Sequence, residues 1–442
     1  MEIKLSDHFT YGRLFRFVLP SVAMMLFTSI YGVVDGIFVS NYAGKTEFAA
    51  VNLIWPFVML LGAFGFMIGT GGSALVSITL GEGKKKEANK YFSMLIYVTI
   101  GMGLLLTVLG IIFTPQIAKL LGAEGKMLTE SVIYGRFLLI GLMPFMLQNV
   151  FQSFLVTAEK PGFGFVITVL AGVTNMVLDY VLVGVLKGGV EGAALATVAS
   201  QFVGGIIPLL YFINPKKSIL CLTKAGLDLR ALWKACFNGS SELMTNISLS
   251  LVNMLYNFQL LRFAGEDGIA AYGVIMYVNF IFVAVFLGYA IGTAPIVGYH
   301  YGAGNKDEMH NVYKKSIYFN IVAGIAMFLV AVALSGVLAG IFVGYDKALY
   351  EMTKYGFIIY SISFVVMGLN IYASSFFTAL GNGLVSALLS FLRTLLFQVV
   401  ALLVLPMFFE LNGIWFSIVA AEGAALILTV ILLIFYKEKY GY

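Results

Sequence analysis

Charge is what this sequence has least of. Asp, Glu, Lys and Arg make up 11% of its 442 residues, where a soluble globular chain carries roughly a quarter. That shortfall excludes a water-facing surface over most of the molecule. Only two cysteines, Cys221 and Cys236, and three histidines are present. The cysteines share one polar loop without metal-ligand neighbours, which argues against a Cys/His metal centre and leaves both residues incidental. A nucleotide motif is lacking too. The run Gly81-Glu82-Gly83-Lys84-Lys85-Lys86 resembles a phosphate cradle at a glance, but it has no strand–loop–helix setting. A second copy, Gly302-Ala303-Gly304-Asn305-Lys306, occurs later in the chain, and short turns explain both better. No clustered histidines and no nucleophile–base pair at one depth suggest an enzyme. No cofactor and no nucleic-acid partner are expected, and without a nucleotide motif the remaining energy source is an ion gradient.

What is abundant is apolar sequence. Hydrophobic residues make up 60% and the mean hydropathy is +0.95. They fall in runs of about 20 or more, the length that crosses a hydrocarbon core of about 30 Å. The first run is long, lacks a small-residue cleavage site and is followed by many others, so it reads as a span and not as a signal peptide. Runs between polar breaks give twelve spans, at 13–40, 48–80, 91–113, 132–156, 162–186, 190–213, 237–262, 268–300, 312–341, 355–379, 384–409 and 413–436. One set of connections holds 18 of the Lys and Arg residues and the alternate set holds 7. The excess places the first set and both termini in the cytoplasm, as expected for a multi-pass, monomeric protein of the cytoplasmic membrane.

The chain is also a repeat of itself. A shift of 221 residues lays Ala43-Gly44 on Ala264-Gly265, Gly71 on Gly292, Gly81 on Gly302, Gly83 on Gly304, Glu87 on Glu308, Tyr134-Gly135 on Tyr355-Gly356 and Asn149 on Asn370. Each copy has an even number of spans, so both share one orientation. The expected architecture is all-α and integral to the membrane: two six-helix bundles related by a pseudo-two-fold axis along the membrane normal. The division is 1–213 for the first bundle, 214–236 for a cytoplasmic basic linker and 237–442 for the second. A cleft between or within such bundles is where transport sites usually lie.

An ionisable residue inside a span is costly and is a functional candidate by default. Asp35, Asp179, Glu242 and Glu422 qualify. Asn175 and Asp179, four residues apart, share one helix face, and the face continues back through Gly172, Thr168 and Gly164 toward other helices. Asp35 on span one, Asp179 on span five and Thr197 on span six all lie ~9–12 Å below the outer surface at 1.5 Å per residue. Two carboxylates, an amide and a hydroxyl at one level suit Na⁺, or a proton shared between the carboxylates. Under the 221 shift Asp35 falls on Tyr256, Asn175 on Leu396 and Asp179 on Val400, so this chemistry belongs to the first half. Pro20 inside span one invites a kink that couples ion binding to bending, or is a static kink. Glu242, with Asn246, either meets a cationic substrate or snorkels to the interface. Glu422 either pairs with Arg393 or one of the two faces the central cavity. Tyr134, Gln152 and Tyr256 complete the candidate substrate path with Glu242 and Asn246, and His300 is expected to be a hydrogen-bonded structural histidine.

The two six-span halves, Pro20 with Val34-Asp35-Gly36, the Gly-x-Gly inner turns and Asn175-x-x-x-Asp179 resemble the multidrug and toxic compound extrusion (MATE) family over essentially the whole chain. The resemblance implies export of drug-like or metabolite compounds, amphipathic and often cationic, in exchange for H⁺ or Na⁺. It implies that Asp35, Asn175, Asp179 and Thr197 bind the coupling cation and that Pro20 matches the family's kinking proline. Acids that some relatives carry in the second half, in the middle of span seven and in span ten, are missing here. The runner-up is a flippase for a lipid-linked precursor, which would call for more basic residues in the cavity.

Overall fold

A computed structural model describes residues 3–42, 45–215 and 218–442, and the side chains of these except 36–42 and 45–49. The Ala43-Gly44 match of the repeat and the side chains of Lys45, Lys216 and Lys217 lie outside the described residues. Every regular element among the described residues is helical. That follows from the solvent: a bilayer core offers no hydrogen bonds, so each backbone N–H and C=O must be paired within its own segment.

The first half comprises α1 (Tyr11–Tyr42), α2 (Lys45–Gly81), α3 (Lys85–Leu120), α4 (Gly125–Ile140), α5 (Leu142–Thr157), α6 (Pro161–Leu178) with a π-helical turn at Asp179–Val185, and α7 (Gly189–Ile213). A short α8 (Leu229–Asn238) follows. The second half comprises α9 (Ser240–Gly302), α10 (Lys306–Val343), α11 (Lys347–Ser361), α12 (Phe364–Ala379), α13 (Gly383–Phe391) with a π-helical turn at Leu392–Leu396, and α14 (Phe397–Tyr440). α9 is two spans interrupted at Gly265, whose φ of 64° and ψ of −150° lie where only glycine is at ease. α14 is interrupted in the same way at Glu410, φ 50°. α4 and α5 form one span bent by 53°, and α11 and α12 one bent by 49°. The described residues thus make twelve crossings, with both chain termini on the same side, here the terminal side.

The bends show how closely the halves share a frame. One falls at Gly141 and the other at Ile362, which are 221 residues apart. At Gly141 a methyl group would overlap the Gln201 side chain, and Pro144 just beyond removes a backbone donor. The other bend has no proline. Ser361 and Ser363 instead donate to the carbonyls of Ile358 and Tyr360, each at 2.7 Å, hydroxyl bonds of the kind that bend helices.

The halves meet near the terminal side through backbone-to-backbone glycine contacts. A methyl on Gly81 would overlap the Tyr299 carbonyl, and one on Gly302 would overlap the Ile78 carbonyl. Gly81 is equivalent to Gly302, and Ile78 to Tyr299, so the pseudo-axis passes through this crossing of α2 and α9. A second pair of contacts is interchanged in the same way: Gly71 against Gly239, and Gly292 against Val18. The following glycines, Gly83 (φ 77°) and Gly304 (φ 67°), turn the chain in the left-handed region. Both Gly-x-Gly sequences are therefore one close approach followed by one turn. Farther up, Ser29 of α1 donates to the Phe280 carbonyl at 3.2 Å.

α8 is a helix inside the stretch expected to be linker. Asp228 caps it by accepting from the backbone N–H groups of Arg230 and Ala231. One face, with Leu229 and Trp233, is exposed, while Ala231, Ala235 and Asn238 are buried. Asn238 donates to the Thr378 carbonyl at 2.7 Å, so α8 leans on α2 of the first half and on the end of α12 in the second. At the start of the chain, Phe9 N–H donates to Glu308 at 2.8 Å and His8 pairs with the same carboxylate. His300 packs edge-on to Phe9 at 6.4 Å. Its ring lies beside the Leu5 backbone, a buried structural position as expected.

The glycine crossing predicts a contrast. Gly302→Ala forces two backbones apart and should cost about 1–3 kcal/mol, lowering the thermal midpoint of the purified protein. Gly273→Ala, with nothing within 4 Å of the added methyl, should leave the midpoint unchanged or slightly raised. Equal midpoints for the two variants would show that α2 and α9 do not approach this closely.

Candidate functional site

α6 carries a buried stripe of Gly164, Thr168, Gly172, Asn175 and Asp179, while Leu170, Val173 and Val177 face outward. Gly172 is where the stripe admits α1, because a methyl there would meet the rings of Phe27 and Tyr31. α1 therefore lies close against α6 and brings Asp35 to Asp179 and Asn175, its two side-chain partners. Asp179 is 0% exposed and Asn175 2%. Asp179 also begins the π-helical turn, closed by the Leu186 N–H donating to the Val181 carbonyl at 2.9 Å. Such turns are rare and concentrate at functional sites.

Acceptors outnumber donors in this group. The Asn175 amide N–H is the donor beside Asp35, while Asp35 Oδ1, Asn175 Oδ1 and both Asp179 oxygens are buried without a hydrogen-bond partner among the described residues. Two carboxylates in a dry setting cannot both carry charge without something positive between them. Tyr134, 1% exposed, stands beside both carboxyl groups. Tyr31 stands beside Asp35 and Gln148. Tyr31 and Gln148 are absent from the candidates read from sequence, although Tyr31 is one helical turn before Asp35 and that spacing alone would have nominated it.

The remaining candidates disperse. Thr197 is buried on α7 and its hydroxyl donates to its own helix, to the Ala193 carbonyl at 3.1 Å. It is not among the side chains that interact with either carboxyl group in the described residues. Pro20 lies on α1 far from the carboxylates, among Val18, Ser21 and Val22, where Gly288 and Gly292 of α9 press against the helix. α1 runs through Pro20 as a single helix. Gln152 is buried on α5. Glu242 and Asn246 sit in the first turns of α9, where the Asn246 amide donates to the Glu242 carbonyl at 2.8 Å. Tyr256 is in the second half, stacked on Tyr272 at 4.6 Å, with a buried hydroxyl that has no hydrogen-bond partner among the described residues. The candidate substrate-path residues thus sit on α4, α5 and α9, in both halves.

The second half has its own polar centre, and here an open alternative is decided. Arg393 Nε donates to both carboxylate oxygens of Glu422, at 2.9 and 3.0 Å. Asn370 donates to the same carboxylate at 2.7 Å and accepts from Thr429 at 2.9 Å. Glu422 is thus paired and does not face the cavity alone. Asn370 and Thr429 escaped the sequence reading as members of this centre. The repeat offered a pointer, because Asn370 is the partner of Asn149.

Comparison with known proteins agrees with this architecture. The MatE family model matches residues 20–181 and 243–403, one block in each half. The multidrug export protein MepA of Staphylococcus haemolyticus (strain JCSC1435) is 24% identical over 410 residues, covering 92% of this chain and 89% of that protein. MepA of Staphylococcus aureus (strain MRSA252) is 22% identical, covering 96% and 93%. Among solved structures, an outward-facing multidrug resistance MATE transporter of the MOP superfamily superposes with a TM-score of 0.92 at 22% identity, over 97% of this chain and 96% of that one. With its family model matched in both halves, this twelve-span chain belongs to the MatE family of MATE multidrug efflux transporters.

Proposed function

We propose that this protein exports amphipathic, often cationic organic compounds from the cytoplasm in exchange for H⁺ or Na⁺, by alternating access. The observation that carries the reading is the buried group of Asp35, Asn175 and Asp179, with four oxygens that lack a partner among the described residues. A proton would make one carboxyl the donor that the other lacks. Na⁺, which takes oxygen ligands, would satisfy the same atoms. Either cation neutralises the repulsion between α1 and the α6 π-turn, so its binding favours the close approach of those helices and its release favours their separation. Thr197 adds a hydroxyl oxygen to the set once α7 closes on it.

α1 links this step to transport. Its first turns are gripped by α9 of the other half and its later turns carry Asp35. Pro20 stands in the gripped part, where its missing N–H leaves the Arg16 carbonyl without its helical partner and makes bending easier. The bias of Lys and Arg supports a cytoplasmic setting for the terminal side, with its glycine crossing. The conformation described is then closed inward, in keeping with the outward-facing relative.

Asp179→Asn should fold and reach the membrane yet lose ion-driven export, because the amide neither takes up nor releases a proton near neutral pH and carries no charge for Na⁺. Retained coupled transport in vesicles would remove Asp179 from the mechanism. With Na⁺ and H⁺ gradients imposed separately on the wild-type protein, one of the two should drive dye export and the other should not. Expression in an efflux-deficient bacterium should raise resistance to cationic dyes. Unchanged accumulation across a broad panel, with lipid-linked precursors moved instead, would establish the flippase reading.

A further inference from the structure

The centre in the second half has a valence opposite to that in the first. A guanidinium offers five N–H donors in a planar fork. Glu422 engages only Nε, and the other four N–H groups of Arg393 have no acceptor among the described residues. Glu422 accepts from Nε and from Asn370, and the Asn370 oxygen accepts from Thr429, so the contacts that hold the cluster together leave the terminal guanidinium nitrogens out. Beside it stand Tyr360, which neighbours both Arg393 and Glu422, and Tyr256, which neighbours Tyr360 and Glu422. The Tyr256 hydroxyl is buried, with the residue 2% exposed, and has no hydrogen-bond partner among the described residues. Tyr256 occupies the position of Asp35 under the repeat. Arg393 lies about 15 Å along its span from Gly383, near mid-membrane. A cation at that depth whose outer edge meets no protein acceptor is costly unless something else supplies one.

We propose that the open edge of Arg393, held in place by Glu422 and Asn370 and joined by the hydroxyls of Tyr256 and Tyr360, is a subsite for a carboxylate on the transported compound. The assignment rests on the export reading above and narrows it: the substrates include compounds that carry an anionic group besides their apolar body. Two parallel N–H groups match the two oxygens of a carboxylate, and the tyrosine hydroxyls add donors from the side. Lysine offers no such fork.

The test uses two probes of nearly equal shape, a carboxyl-bearing rhodamine and its ethyl ester, on purified protein in vesicles. Removing Arg393 alone would leave Glu422 buried and unpaired, so the main variant is the double substitution Arg393→Gln with Glu422→Gln, which keeps neutral hydrogen-bonding groups. The acid probe should bind about tenfold more weakly to the double variant, while the ester should be unaffected. Arg393→Lys, which keeps the charge but not the fork, should weaken the acid probe selectively as well and serves alone if the double variant does not fold. An equal change for both probes, or none for either, overturns the subsite. Wild-type export of the ester without the acid also overturns it while leaving the export reading intact. Wild-type export of neither probe overturns the subsite as well, while the export reading stands or falls on the broad dye panel.

Discussion

In a bilayer core every polar group must find its partner inside the chain, and the rest of this molecule follows from that constraint. The backbone meets it by being helical among all the described regular elements. The serines at the α11–α12 bend meet it by bonding nearby carbonyls. Arg393 and Glu422 meet part of it by pairing with each other. Asp35 and Asp179 meet it least, since they face each other with acceptors only. Incomplete satisfaction in an otherwise satisfied interior is an energetic bias toward binding whatever completes it. That bias, more than the presence of acids as such, distinguishes these residues from buried polar groups that merely hold helices together.

The duplication supplies a frame on which opposite chemistries are mounted. The same bend recurs at Gly141 and Ile362, and the same backbone contacts recur with partners exchanged at Gly81 and Gly302. Such contacts tolerate no side chain on either copy, so both remain glycine. Positions facing the lobe interiors are under no such steric demand. There Asp35 stands against Tyr256, and Gln201 against Glu422. Packing at the crossing ties the halves together mechanically, while their interiors remain free to differ in charge.

The span pattern was legible in the sequence because length and hydropathy together leave a bilayer segment few alternatives. The loops at 263–267 and near 410, for example, coincide with backbone breaks at Gly265 and Glu410. Asn175 and Asp179 were legible because helical spacing alone sets them on one face. The π-turn beginning at Asp179 was not, because it depends on how α7 and α1 pack and not on a local signature. α8 was missed because ten residues are too short for a hydropathy signal, although Asp228 before an amphipathic stretch is a recognisable cap. Thr197 illustrates a different limit. Equal depth in the membrane does not determine which way a side chain turns, and a threonine in a helix readily bonds its own preceding turn.

Pro20 shows what the structure adds to a residue the sequence had already marked. Pro20 lies on the same helix as Asp35, about 22 Å away along α1, and the structure sets it in the segment pressed against Gly288 and Gly292 of the opposite half. If Asp35 and Asp179 bind the coupling cation as proposed, a helix held at one end by one lobe and carrying one of those carboxylates near its far end is a lever. A weak point near its fulcrum lets the carboxylate end swing without breaking the glycine contacts. Coupling then needs no continuous chain of polar side chains between ion site and crossing. It needs only that the charge balance at Asp35 and Asp179 change how closely α1 lies against α6, and that the other end of the same helix remain gripped.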